Sequence, residues 1–230
     1  MFFAKGIIFV EGISEAILLP EIAKILDRPL EKYAVELVNV DSVAFSPFVN
    51  LFSSQNVQTC FSKVAIVTDD DRCTKKSETN YINKDFDYDD VNSDISGKLL
   101  SGTPSERCNE LETLCRAVGI NVFKATKTLE YALCCDENNI EYFIEAIKSE
   151  YSQLGPALEQ KVNSLHDMNE KAACVWLFIR AREKCKGAIA QYISQIIKKQ
   201  CEMRKRGENI EKEFVIPDYL KEAVYCVMER

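Results

Sequence analysis

Two short apolar runs, each followed at once by acidic residues, constrain the fold of this chain more than any other feature. The runs cover residues 6–10 and 64–67, and both are rich in the β-branched residues that favour buried strands. The acids that follow them are Glu11, Glu15, Asp69, Asp70 and Asp71. Each run therefore predicts a buried strand with carboxylates at the point where it leaves the core.

The residues between and after these runs predict a parallel sheet flanked by helices. Further strands are expected at residues 34–40 and 120–123, and helical apolar spacing separates the strands, as in the helix that we expect Ser14 to cap. Alternating strands and helices are typical of the α/β class, in which sites form at the carboxyl ends of parallel strands. Since the later pattern is helical, we expect a catalytic core at residues 1–135 and a helical C-terminal region at residues 136–230 that carries Lys186.

Residues 72–104 interrupt this pattern with a polar, acidic segment. Its aspartates are Asp85, Asp87, Asp89, Asp90 and Asp94. Because such a composition buries little apolar surface, we expect a long, partly mobile loop or insertion. We also expect Asp70 to face solvent, since alternation along the strand turns it away from Asp69 and Asp71.

The acids at the strand ends form a candidate metal site. Glu11 and Glu15 are four residues apart at a helix start, and Asp69 and Asp71 are two apart at a strand end, so each pair can point to one place. Glu130 follows the fourth expected strand. Oxygen ligands without Cys or His favour Mg²⁺ or Mn²⁺. More than two carboxylates leave room for two ions, the arrangement that assists phosphodiester cleavage.

Charge and cysteine usage limit the partners and the compartment. The net charge is −7, yet residues 180–206 contain nine basic and two acidic side chains, which predicts a basic face for a polyanion or, alternatively, an ordinary solvated helix surface. No apolar run approaches the ~18 residues of a membrane span.

Ten scattered cysteines without a CxxC pair favour reduced thiols and a cytoplasmic location. The single histidine, His166, excludes a two-histidine zinc site.

Several motifs resemble those of a known family. Residues 7–12 and 67–71 are similar to the two acidic motifs of the Toprim fold, which topoisomerases, bacterial primases and certain nucleases share. The finer pattern resembles the OLD-family nucleases (overcoming lysogenisation defect, including the nuclease subunit of Gabija defence). The motifs that carry this resemblance are Val10–Glu15 followed by Leu18–Pro20, Thr128–Tyr131, Lys186–Ala190 and Ile216–Leu220.

The resemblance implies a metal-dependent DNA endonuclease or nickase that uses two ions, as part of an ATP-dependent nuclease of bacterial phage defence. By motif, it assigns catalysis to Glu11, Asp69, Asp71 and Lys186. By the same motifs, the metal ligands are Glu11, Glu15, Asp69, Asp71 and Glu130. In this scheme Lys186 stabilises the negative charge that develops at the phosphate.

The chain also departs from the family pattern. It contains no GxxxxGK[ST] motif, so we expect the ATPase to lie on another domain or subunit, and Asp41-Ser42 stands where relatives often have glycines. Two alternatives remain open. One is another Toprim phosphoryl-transfer enzyme, such as a primase or an RNA-processing nuclease. The other is a non-cleaving module that binds nucleic acid or a partner ATPase and acts only in an assembly.

Overall fold

A computed structural model describes residues 4–52 and 63–228, and within them four strands form one sheet. The strands are β1 Gly6–Val10, β2 Val35–Asn39, β3 Lys63–Asp69 and β4 Asn121–Ala125. Their order in the sheet is β2-β1-β3-β4, and every neighbouring pair is parallel. The predicted α/β fold with a parallel sheet is therefore confirmed.

Helices cover both faces of the sheet and make up most of the second half of the chain. Their bounds are α1 Ile13–Ile25, α2 Ser46–Asn50, α3 Ser93–Ser101, α4 Glu106–Ala117, α5 Leu129–Cys134, α6 Glu137–Glu150, α7 Leu154–Ser164, α8 Met168–Arg180, α9 Lys186–Lys205 and α10 Asp218–Cys226. Short 3₁₀ turns lie at Leu30–Tyr33, Tyr88–Asp90 and Glu183–Cys185. Among these described helices, none is long and apolar enough to cross a membrane.

Side chains of the two central strands alternate between two apolar cores. On one face, Phe9 and Ile66 pack with Leu111 of α4. On the other face, Ile8 and Val67 belong to a larger core that continues into the C-terminal helices. This alternation follows from the two-residue period of a strand, and burial on both faces explains why β1 and β3 read as continuous apolar runs.

The larger core joins residues on both sides of position 135. Helix α9 packs along α1, and α10 packs on β3 and β4. The end of the chain approaches the first strand closely, because a Cβ on Gly6 would lie 2.7 Å from the backbone oxygen of Val227. The sheet and the C-terminal helices are thus packed together, and the division into two regions at residue 135 stays a prediction.

Residues 72–104, which we expected to form a long loop or insertion, are partly helical. The segment contains the turn Tyr88–Asp90 and helix α3, which begins after the side-chain cap of Asn92. Most of its few apolar side chains point inward, although Leu100 is exposed, and the buried ones include Ile82, Tyr88, Val91, Ile95 and Leu99. The segment is polar in composition because one side of it is solvated, while the other side belongs to the larger core.

Several of the basic residues between 180 and 206 hold the fold together. The Nη2 of Arg180 donates to the backbone oxygens of Asn83 and Phe86 at 3.0 and 2.7 Å, and Arg182 pairs with Asp87 at 3.0 Å. These two arginines therefore fasten the 72–104 segment to α8. The side chains that stay exposed on this stretch include Lys184, Lys198, Lys199 and Lys205.

The cysteines and the histidine are placed as follows. Nine of the ten cysteines lie in the described residues as free thiols, most of them buried, and Cys60 lies outside the described residues. Burial raises the pKa of the Cys108 and Cys115 thiols to about 11, which keeps them protonated. His166 is exposed between α7 and α8.

Candidate metal centre

The predicted acids meet at one edge of the sheet. Glu11 follows β1 directly, Asp69 is the last residue of β3, and Glu130 lies in the first turn of α5, just past β4. Because β1, β3 and β4 are adjacent and parallel, their carboxyl ends lie side by side. The fold therefore brings carboxylates from three separate parts of the sequence to one place.

Three of these carboxylates, those of Glu15, Asp69 and Glu130, lie close together, and Glu15 and Glu130 are buried. Glu15 is only 6% exposed, and burial followed by the neighbouring charge of Glu130 raises its pKa to about 7. Burial, then the charges of Glu15 and Glu130, raise the pKa of Asp69 well above its usual range. Asp69 is fixed by the backbone N–H of Leu129, which donates to its Oδ1 at 2.8 Å. Like charges at short range in a dry site make their ionised forms unfavourable.

Lys186 supplies a positive charge beside this cluster. It opens helix α9, and its Nζ lies 3.9 Å from Oε1 of Glu130. The Ser14 hydroxyl donates to the same oxygen at 3.3 Å. Ser14 therefore faces the carboxylates instead of capping α1, whose N-cap is Gly12. The charge of Glu130 is the main reason that the pKa of Lys186 is raised, so the ammonium stays protonated.

The outer side of the site is organised by Arg107, which sequence reasoning missed. Its Nη2 donates to Oδ2 of Asp71 at 2.6 Å and to the backbone oxygen of Asp69 at 3.2 Å. The same nitrogen lies 3.7 Å from Oε2 of Glu11, an oxygen that also accepts from the Thr68 hydroxyl. No sequence signal marked Arg107, because it stands in the first turn of an ordinary amphipathic helix.

The expectation that Asp70 faces solvent is wrong, since Asp70 is only 2% exposed. Its Oδ2 accepts from Nε of Arg72 at 2.8 Å, and its Oδ1 accepts from the backbone N–H of Lys127 at 2.9 Å. The buried ammonium of Lys127 in turn donates to the backbone oxygen of Arg72 at 2.7 Å. Alternation fails here because β3 ends at residue 69 and Asp71 has a positive φ of 51°. These bonds tie together the two loops that carry the carboxylates.

Tyr219 of α10 lies beneath the cluster. Its hydroxyl is buried without a hydrogen-bond partner among the described residues. Burial, followed by the charges of Asp69 and Glu15, raises its pKa well above the usual range, so the hydroxyl stays protonated. The resemblance marked the motif that contains Tyr219 but gave this residue no role, and only the tertiary packing of α10 brings it to the site.

The chemistry of the donors fits a hard divalent cation, although the side chains do not form a finished ligand set. In residues 4–52 and 63–228, no three His, Cys, Asp or Glu side chains are placed so that they could hold a metal ion together. Glu11 accepts from the Thr68 hydroxyl and lies beside Arg107, and Glu130 lies beside Lys186, so both carboxylates already have partners within the protein. All donors are oxygens, and the crowded carboxylates lack the positive charge that such an ion would supply.

The parallel sheet and the acidic residues at its carboxyl ends define an α/β domain with a candidate site at that end of the sheet. Residues 2–71 match the family model of the Overcoming lysogenization defect protein-like TOPRIM domain, which confirms the resemblance that the motifs indicated. No curated protein matches the chain in sequence.

Solved structures support the same fold over the full length. The C-terminal region of the Xanthomonas campestris pv. campestris OLD protein is 21% identical with a TM-score of 0.59, covering 100% of this chain and 96% of that one. The C-terminal region of the Burkholderia pseudomallei OLD protein is 19% identical with a TM-score of 0.57, covering 99% of this chain and 98% of that one. The chain is therefore similar in fold to these C-terminal regions.

Proposed function

We propose that this chain is a metal-dependent DNA endonuclease or nickase domain that hydrolyses phosphodiester bonds. One observation carries the proposal: the carboxylates of Glu15, Asp69 and Glu130 lie close together at the strand ends, two of them buried, and Lys186 stands beside them. Buried like charges are costly unless a cation neutralises them, and perturbed carboxyl groups of this kind cluster at functional sites.

The ligands of two Mg²⁺ or Mn²⁺ ions would be the five acids at the sheet edge. Following the family motifs, Glu11 and Glu15 would hold one ion, Asp71 and Glu130 would serve the other, and Asp69 would bridge. When bound, such ions activate the attacking water and stabilise the attacking and leaving oxygens of a phosphodiester.

The residues around the acids hold them in position and supply charge. Leu129 N–H fixes Asp69, and the bonds between Asp70 and Lys127 hold the two loops at a constant distance. Lys186 is partly exposed and stays protonated, so it can meet negative charge that develops on a phosphate oxygen. The exposed lysines of α9, Lys198, Lys199 and Lys205, are available to the DNA backbone.

The remaining context is part of the same proposal. We infer that an ATPase domain or subunit regulates the nuclease, that the protein works in the cytoplasm, and that its role is defence against phage. The likeness to OLD C-terminal regions supports a domain that works within a larger protein or assembly.

Nicking of supercoiled plasmid tests the activity. The protein is incubated with Mn²⁺, with Mg²⁺ and with a chelator, alongside Asp69→Asn and the matched control Asp85→Asn, which changes an exposed aspartate of the 72–104 segment. We expect nicking that requires a divalent ion, is lost in Asp69→Asn and is kept in Asp85→Asn. Equal cleavage by the wild type and Asp69→Asn would refute the proposal, because the activity would then not belong to this site.

The non-cleaving alternative has one observation in its favour, namely that the described carboxylates are not gathered into a ligand set. If this alternative holds, the isolated protein binds divalent ions in calorimetry but leaves the plasmid intact. Cleavage that appears only after the partner ATPase is added would then assign the function to the assembly.

A further inference from the structure

The guanidinium of Arg107 occupies the outer side of the carboxylate edge. Arg107 stands in the first turn of α4, and its Nη2 contacts Oδ2 of Asp71 at 2.6 Å and lies 3.7 Å from Oε2 of Glu11. Both carboxylates come from segments that end or follow strands, so the arginine spans the gap between the ends of β1 and β3. The positive charge therefore sits between two of the five proposed metal ligands.

Fewer nitrogens of the Arg107 guanidinium donate hydrogen bonds than in Arg72, an arginine with a purely structural role. In Arg72, the Nε and both terminal nitrogens donate, to the carboxylate of Asp70 and to the backbone oxygen of Leu99. In Arg107, the bonds all involve Nη2, while Nη1 is buried and has no partner among the described residues. A buried N–H group without an acceptor costs free energy, so the present position of Arg107 is not its best possible one.

A divalent cation and the guanidinium compete for the same oxygens. Mg²⁺ binds carboxylate oxygens at about 2.0–2.1 Å and requires a near-octahedral shell. A guanidinium nitrogen 2.6 Å from Oδ2 of Asp71 lies within the space that such a shell occupies. The side chain of Arg107 is 28% exposed, which leaves it a path toward solvent.

We propose that Arg107 is an exchangeable counter-ion of the candidate metal centre: it neutralises Glu11 and Asp71 until a divalent cation takes its place. The proposal rests on the proposed function only in that these two carboxylates hold a cation. Once displaced, the guanidinium stands at the rim of the site with its donors free, a suitable position for a phosphate oxygen of the substrate. Arg107 thus acts as a positioning residue for the outer carboxylates.

Calorimetric titration of Mn²⁺ into chelator-treated and dialysed protein tests the exchange. The variants are Arg107→Gln, Arg107→Lys and the control Arg116→Gln, which removes the same charge from an exposed position of the same helix. We expect Arg107→Gln to bind Mn²⁺ roughly tenfold more tightly than the wild type, because a charge-assisted bond no longer has to be broken. Arg107→Lys keeps the charge but lacks the planar fork, so its affinity should lie between these two. Arg116→Gln should match the wild type.

The outcomes separate this inference from the proposed function. If the wild type binds Mn²⁺ and Arg107→Gln binds it no more tightly, the exchange is refuted while the metal centre stands. If Arg107→Lys binds like the wild type and only Arg107→Gln is tighter, simple charge repulsion explains the result and displacement is refuted. If neither the wild type nor the variants bind Mn²⁺, both proposals fail. If Arg107→Gln does not fold, the comparison of Arg107→Lys with the wild type decides.

Discussion

Replacement of Glu15 by glutamine should stabilise the protein in the presence of a chelator, and only at neutral to alkaline pH. Burial and the charge of Glu130 raise the pKa of Glu15 from its ordinary value of 4.5 to about 7. Such a shift corresponds to roughly 3 kcal/mol of unfavourable free energy once the group is ionised. Glutamine has the same shape and removes the charge, so the variant avoids this cost.

The sign of the effect depends on pH in a defined window. Between about pH 4.5 and 7 the folded protein holds a proton on Glu15 that the unfolded chain has released, so stability falls as pH rises through this window. At about pH 8 the full cost applies, and at about pH 5 it is less than about 1 kcal/mol. For a domain of this size, 3 kcal/mol corresponds to an increase in Tm of roughly 6–12 °C.

The assay is thermal and urea unfolding of the wild type, Glu15→Gln and the control Glu31→Gln at both pH values, with chelator. Glu31 is exposed, so its replacement should leave the free energy of unfolding unchanged. Addition of Mn²⁺ at about pH 8 should stabilise the wild type by about 2.7 kcal/mol when the free Mn²⁺ concentration is a hundred times Kd, and its Tm should rise accordingly. The Tm of Glu15→Gln should rise less. If Glu15→Gln is no more stable than the wild type at pH 8, or equally stabilised at pH 5, the reasoning is refuted.

Four further changes test the packing of the fold. Lys127→Met leaves the backbone oxygen of Arg72 without its donor, so the free energy of unfolding, measured in urea, should fall by about 1–3 kcal/mol. An unchanged midpoint of urea unfolding would contradict the role given to Lys127. Arg180→Gln removes two bonds to backbone oxygens of the 72–104 segment, so amide exchange there should accelerate while that of β1 stays as it was. Gly6→Ala should lower the free energy of unfolding by about 1–3 kcal/mol, because the added Cβ would meet Val227. Gly97→Ala inside α3, where a Cβ has open space, should raise it by about 0.5–1 kcal/mol. A change of the same sign in both variants would contradict the packing described for these two glycines.

The sheet and the position of the acids could be predicted because both are local features. An apolar run with an acid at its end predicts a buried strand and the position at which it leaves the core. Because the carboxyl ends of parallel strands lie side by side, Glu11, Asp69 and Glu130 are then expected at one edge of the sheet. No contact between distant residues had to be known for this step.

The residues that surround the acids could not be predicted, because tertiary contacts place them. Arg107 is 36 residues from Asp71 in sequence, and only the packing of α4 brings the two together. Asp70 was misjudged because strand alternation was extended past the last residue of β3. The helix and turn within residues 72–104 could not be predicted, because the segment is held by contacts with Arg180 and Arg182, which lie about a hundred residues further along the chain.

The contact between Gly6 and Val227 has a consequence for how the protein forms during synthesis. β1 is the first of these elements to be synthesised, and α10, which packs on β3 and β4 and brings Tyr219 near Asp69, is the last. The nascent chain therefore contains all five carboxylates before α10, which packs beside them, has been synthesised. Because Tyr219 lies near Asp69 and Glu15, we expect the burial that raises the pKa of these two carboxyls to be complete only after α10 has docked. The centre is therefore completed only when α10 packs against the sheet.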